Sequence, residues 1–206
     1  IGGGFIVKEG EDDVPGNENV QLPYPCDNGE QLMHVHRTLG LSIEEIVWQN
    51  ELCWHTAEEV KQGLMRIWHT METCIYKGCH AFGELPGGLN VTRRAANINK
   101  RMLNGQQYHN SIEWIRLIKQ SSFDFDQVLR WISCFALAVN EENAAMGRVV
   151  TAPTNGAAGV IPAVIMYYFC FKNRQATNAD IVRFLLVAGE IGSYFKRGAT
   201  ISAALG

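Results

Sequence analysis

The residues best suited to chemistry lie at 140–157, which read NEENAAMGRVVTAPTNGA. Amides, carboxylates, a guanidinium and hydroxyls sit there between two strongly apolar stretches. Polar groups taken out of water must find partners, and a ligand can be one of them. Thr151, Thr154 and Asn155 flank Pro153, whose ring fixes φ and which carries no N–H. A helix is expected to start at Gly156, and the free N–H groups and positive dipole end of such a start suit a carboxylate or phosphate. The plainer alternative is that Thr154 or Asn155 simply caps that helix. Arg148 also has two readings, a clamp for a ligand carboxylate or a structural partner for Glu141 or Glu142.

Gly2, Gly3 and Gly4 are either a nest of amides around an anion or a tight turn. They are not a dinucleotide fingerprint, because no strand–GxGxxG–helix unit follows. Lys196, followed by Arg197 and Gly198, is suited to pairing a substrate carboxylate or forming a Schiff base. The alternative is a cation closing a helix C-terminus, with Gly198 just past it. Six cysteines stand at 26, 53, 74, 79, 134 and 170, with no CxxC among them. Cys74 and Cys79 are the one suggestive pair for metal or redox chemistry; the alternative is one thiol packed in a helix face and another near its end. The scatter of thiols fits a reducing cytoplasm. His34, His36, His55, His69, His80 and His109 form no HExxH and no clear zinc pair.

These groups hang on a mainly α chain. Residues 1–7 read as the end of a strand behind a glycine turn, and 9–29 as an acidic, then Pro- and Gly-punctuated connection. A short amphipathic helix over 30–39 stops at Gly40. Ser42 with Glu45 and Thr56 with Glu59 are capping boxes. Behind the second, Val60, Leu64, Ile67, Trp68, Met71, Cys74 and Ile75 repeat every three or four residues and predict a long one-faced helix. The run LPGGL at 85–89 breaks the pattern. Further helices are expected over 93–103, 111–119, 126–139 and 156–171, the last glycine- and alanine-rich and buried. Thr177 with Asp180 caps a final helix that runs through Phe195.

At 206 residues the chain has room for one domain or slightly more. Hydrophobic residues make up 47%, enough for a sizeable core. A net charge of −3 leaves no basic face for nucleic acid and no polybasic membrane surface. Residues 1–8 do not read as a secretory leader, so none is expected. The longest uncharged run, 149–171, is broken by Pro153, Gly156, Gly159 and Pro162, so no membrane span is expected.

The 140–157 run resembles the signature of bacterial iron–sulfur-dependent L-serine dehydratases. Residues 1–6 (IGGGFI), 49–51 (QNE), 85–88 (LPGG), 93–95 (RRA), Lys196 and 199–203 (ATISA) fit the same family in order. The resemblance implies a lyase that converts L-serine to pyruvate and ammonia on a [4Fe–4S] cluster and not on pyridoxal phosphate. One cluster iron, lacking a permanent protein ligand, would act as a Lewis acid on the serine hydroxyl. It implies that Gly2, Gly3, Gly4, Thr151, Thr154, Asn155 and Lys196 contact the substrate, with the catalytic base unassigned. In the family the cluster cysteines lie downstream of the ATISA segment, and a Ser- and His-containing motif lies upstream of Ile1. None of the six cysteines here matches a ligand position, and Ala158 stands where the family has Cys. The expected organisation is therefore the end of a β portion and a linker over 1–29, then a helical α-type portion over 30–206 without its metal ligands. Such a chain is expected to be inactive alone and to work as a homodimer or with a companion chain or segment carrying the ligands. Two other readings compete: a non-catalytic helical module that binds an amino acid, and a pyridoxal-phosphate lyase with Lys196 as Schiff base. The helical pattern does not support the second.

Overall fold

The computed structural model describes residues 20–151 and 155–198. The strand expected at 1–7, the Gly2–Gly4 turn, Pro153 and Thr154 lie outside them. Among the described residues eight α-helices follow one another: α1 Gly29–Leu39, α2 Ile43–Glu51, α3 Ala57–Gly78, α4 Ala95–Leu103, α5 Ser111–Gln120, α6 Phe125–Ala144, α7 Val160–Tyr167 and α8 Asn178–Gly198. Among the described residues there is no strand, only one isolated antiparallel bridge between Glu84 and Thr92. The mainly α expectation therefore holds. No helix among the described residues is long and apolar enough to cross a membrane.

Local chemistry sets most of the helix starts. At α2 the Ser42 hydroxyl accepts from the Glu45 amide while Glu45 accepts from the Ser42 N–H at 2.8 Å. Thr56 and Glu59 repeat this before α3, and before α8 the Asp180 carboxylate accepts from the Thr177 N–H at 2.8 Å and from its hydroxyl at 2.9 Å. Each box satisfies N–H groups that the first turn leaves unpaired. A further box, Asp124 with Gln127, opens α6, two residues before the expected start. Gly40 closes α1 in the left-handed conformation at φ 67°, which costs glycine little.

Two departures bear on the polar segment. First, α6 runs on to Ala144, so residues 140–143 form its last turn and not a linker between helices. Second, 156–171 is not one helix. A 3₁₀ turn covers Asn155–Ala157, α7 starts only at Val160, and a π-helical turn takes over at Tyr168–Lys172. Pro162 explains the late start. It sits in the first turn of α7, where its missing N–H is no loss; in a helix begun at Gly156 it would remove a bond to Ala158 and clash with that carbonyl.

The chain divides into two compact units. One comprises Ile1–Met65, Ala152–Thr154 and Val182–Gly206. Its described core joins Val47, Val60, Val182 and Leu186, with a second cluster of Cys26, Leu32 and Ile46. Asn50 pins the incoming chain there, accepting from the Tyr24 N–H at 3.1 Å and donating to the Tyr24 carbonyl at 2.8 Å.

The other unit comprises Arg66–Thr151 and Asn155–Ile181. Its core is aromatic: Trp114, Trp131 and Phe135 are fully buried. Trp131 stacks on Phe135 with centroids 5.3 Å apart, and both meet Trp114 edge-on. Asn99, also buried, accepts from the Trp114 indole N–H at 2.9 Å and donates to the Cys79 carbonyl and the Tyr108 hydroxyl. Asn99→Ala leaves the Trp114 donor and the Cys79 acceptor unpaired in the core. We expect it to lower the unfolding free energy by about 1–3 kcal/mol, read as a lower urea midpoint. An unchanged midpoint would show that this polar network contributes nothing to stability.

Candidate functional site

The C-terminal turn of α6 carries two adjacent carboxylates, Glu141 and Glu142, that are 3% and 2% exposed. Adjacent helical residues point about 100° apart, so each needs its own partners. Glu142 has two cations. Arg93, itself buried, donates to Oε1 at 2.7 Å, and Lys77 from α3 approaches Oε2 at 2.9 Å. Burial pushes the Glu142 carboxyl up, but the hydrogen bonds and charges of Arg93 and Lys77 outweigh it and hold the group below its ordinary value.

Glu141 does a different job. Its Oε1 accepts from the backbone N–H of Arg94 at 2.7 Å and lies 3.4 Å from that of Ala95. Arg94 occupies the N-cap position of α4 and offers no side-chain cap of its own. A carboxylate from α6 thus caps α4 from outside, where the helix dipole favours negative charge. Of the two readings of Arg148, the structural partner of Glu141 or Glu142 is not what the fold shows: amides serve Glu141, Arg93 and Lys77 serve Glu142, and Arg148 is exposed. The run 93–95 is legible as a family feature in the sequence, but Lys77 is not, because a lone lysine on a helix carries no pairing signal.

After this turn the chain reverses tightly. Met146 takes a left-handed φ of 59°, and the Gly147 N–H donates to the Glu142 carbonyl at 2.7 Å. A Cβ on Gly147 would lie 2.8 Å from Glu142 Oε2 and 2.9 Å from the Glu142 carbonyl. Gly159 meets α6 as closely, with a built Cβ only 2.7 Å from the Ala136 carbonyl. Two glycines therefore let the chain lie close against α6 at 147 and at 159.

Of the sequence-predicted site residues, Thr151 is exposed at the end of the described stretch after Gly147. Asn155 opens the 3₁₀ turn and donates through Nδ2 to Asn143 Oδ1 at 3.3 Å. Its own Oδ1 is buried and has no hydrogen-bond partner among the described residues. Asn155 is not the cap of α7, a position held by Gly159 without a side-chain bond. A buried acceptor with no donor is what a ligand N–H or a water satisfies. Lys196 belongs to the other unit, exposed in the last turn of α8. Gly2, Gly3, Gly4 and Thr154 lie outside the described residues.

The cysteines do not gather. All six are free, and only Cys53 is exposed. Cys79 lies against Cys134, with sulfurs 3.9 Å apart, and not against Cys74. Burial pushes the Cys74 thiol up to about 11 and the Cys170 thiol up to about 12; these are packing residues. Among the described residues no three His, Cys, Asp or Glu side chains form a group that would hold a metal ion. The described residues therefore do not fit a [4Fe–4S] cluster.

The serine dehydratase alpha chain family matches residues 38–206. The chain belongs to that family. Among its relatives, an L-serine dehydratase of Streptomyces coelicolor is 44% identical over 208 residues, covering 99% of this chain and 42% of that protein. L-serine dehydratase 2 of Escherichia coli is 44% identical over 204 residues, and the Haemophilus influenzae L-serine dehydratase 43% over 204, with the same coverage of each chain. The chain thus spans about two-fifths of the length of the curated relatives it matches. The match includes both buried carboxylates, Gly147, Gly159 and Asn155.

Proposed function

We propose that this chain is the substrate-gripping part of an L-serine dehydratase, a lyase that forms pyruvate and ammonia from L-serine. The observation that carries the proposal is the family match across residues 38–206, with relatives named L-serine dehydratase at 43–44% identity. The reaction removes the Cα proton and the Cβ hydroxyl of serine as water, leaving aminoacrylate. Its imine tautomer then takes up water and releases ammonia and pyruvate. A protein performing it must hold the carboxylate and ammonium so that the two breaking bonds align.

In this reading Thr151, Thr154, Asn155, Lys196 and the amides of Gly2, Gly3 and Gly4 bind the substrate. Lys196 pairs the carboxylate, and Asn155 Oδ1, an acceptor without a donor, is suited to the ammonium. The Arg93–Glu142–Lys77 group and the Glu141 cap hold the polar turn in shape and do not touch serine. The [4Fe–4S] cluster is assigned to ligands from the part of the relatives' length that this chain does not span, supplied in cis, by a companion chain or by a second copy. Residues 1–29 form the end of a β portion and its linker, and the enzyme works in the cytoplasm.

The test is pyruvate formation from L-serine by the protein carrying this chain, reconstituted anaerobically with iron and sulfide. Pyruvate that disappears after exposure to air is the expected result. A reconstituted protein that shows cluster absorbance and binds L-serine without releasing pyruvate would overturn the proposal and make the chain a binding module.

A further inference from the structure

A second candidate site lies in the groove between α4 and α6, within one unit of the fold. It is a cavity of about 270 Å³ lined by Ile98, Arg101 and Met102 from α4 and by Leu129, Arg130 and Ser133 from α6. On each helix these three positions share one face by the three- and four-residue spacing. The size approaches that of small-molecule sites, which start near ~300 Å³, and is too small for a folded segment. Its walls are of two kinds. Ile98, Met102 and Leu129 are apolar, and Leu129 stays 45% exposed. Arg101 and Arg130 are cations, and neither forms an ion pair with a carboxylate among the described residues. Asp126, one turn before Arg130 on α6, does not reach it.

Two guanidiniums on facing helices of an acidic chain are an unusual use of charge. At the other end of the α4–α6 contact the chain supplies a carboxylate, Glu141 to the α4 amides, and next to it Glu142 meets Arg93. In this groove neither guanidinium meets a carboxylate among the described residues. A guanidinium takes a carboxylate through two parallel hydrogen bonds, Ser133 adds a hydroxyl, and the apolar wall covers a hydrocarbon body.

We propose that this groove binds a small organic anion with a carboxylate and an apolar body. The site is separate from the serine reading, and its test does not use pyruvate. The probe is 3-phenylpropionate, titrated calorimetrically into the protein carrying this chain, against three controls. Propionate carries the charge without the body, 3-phenylpropanamide the body without the charge, and inorganic phosphate a charge alone. We expect saturable binding of 3-phenylpropionate at one per chain, with every control weaker by about tenfold or more. Arg101→Gln and Arg130→Gln, both at exposed positions, each weaken it by a similar factor. Ser133→Trp fills the groove without removing a charge and abolishes it, while circular dichroism stays unchanged. Absence of saturable binding, an amide that binds as well as the acid, phosphate that competes equally, or Gln variants that bind like the parent would each overturn the proposal.

Discussion

Glu142→Ala is expected to lower the unfolding free energy by about 3–5 kcal/mol, because it strands a buried cation. Arg93, with a side chain only 9% exposed, loses its countercharge, whereas Lys77, with a side chain 65% exposed, can swing into water. The loss is therefore mostly a penalty on Arg93 and not the worth of the pair, and this difference is measurable. The double variant Arg93→Met, Glu142→Met removes both charges together. It is expected to unfold at a higher urea concentration than Glu142→Ala, since replacing a whole buried pair by apolar groups is often close to neutral.

The same carboxylate carries a pH signature. Its native value lies below the unfolded one, near 4.5, so the native state binds this proton less readily. The stability it contributes is complete above that unfolded value and is lost as the pH falls through the lower native value. Glu142→Ala should therefore flatten the acid limb of the stability curve below about pH 4.5. A parallel acid limb in parent and variant would show that Glu142 is not held ionised by Arg93 and Lys77.

The second large effect comes from one helix tested at two glycines. Gly78, the last residue of α3, faces the backbone of α6: a built Cβ would collide with the Ala138 carbonyl and lie 2.7 Å from its carbon. Both obstacles are backbone, so nothing flexible can yield. Gly78→Ala should cost about 1–3 kcal/mol, the usual range for overpacking, or more if the helices must part. Gly63 lies in the same helix with nothing within 4 Å of its built Cβ. Gly63→Ala should stabilise by up to about 1 kcal/mol, because alanine is the better helix former. Chemical denaturation of both variants checks the pair. Equal shifts in the same direction would mean that α3 and α6 do not approach as closely as described.

The close approach at Gly78 also explains the cysteines. Cys79 and Cys134 come within 3.9 Å because the α3 end is drawn onto α6. In the sequence Cys74 and Cys79, five residues apart, were the one suggestive pair, with plain packing as the alternative, and both thiols are free and buried. The Cys79–Cys134 contact has no signal in the sequence, since partners across helices are set by packing and not by spacing along the chain.

What was legible in the residues is what depends on neighbours in sequence. The boxes at Ser42, Thr56 and Thr177 act over three residues, so the starts of α2, α3 and α8 followed from type and spacing alone. The apolar period from Val60 to Ile75 did the same for α3, and the 140–157 run carried enough consecutive residue identities to mark the family. What only the tertiary structure decided is how that run is held. Its first four residues finish α6 instead of linking two helices, because Glu141 and Glu142 find partners there on α4, Arg93 and α3. Those partners stand more than forty residues away in the chain, and a buried charge is satisfied by whatever the fold brings to it, which no local pattern records.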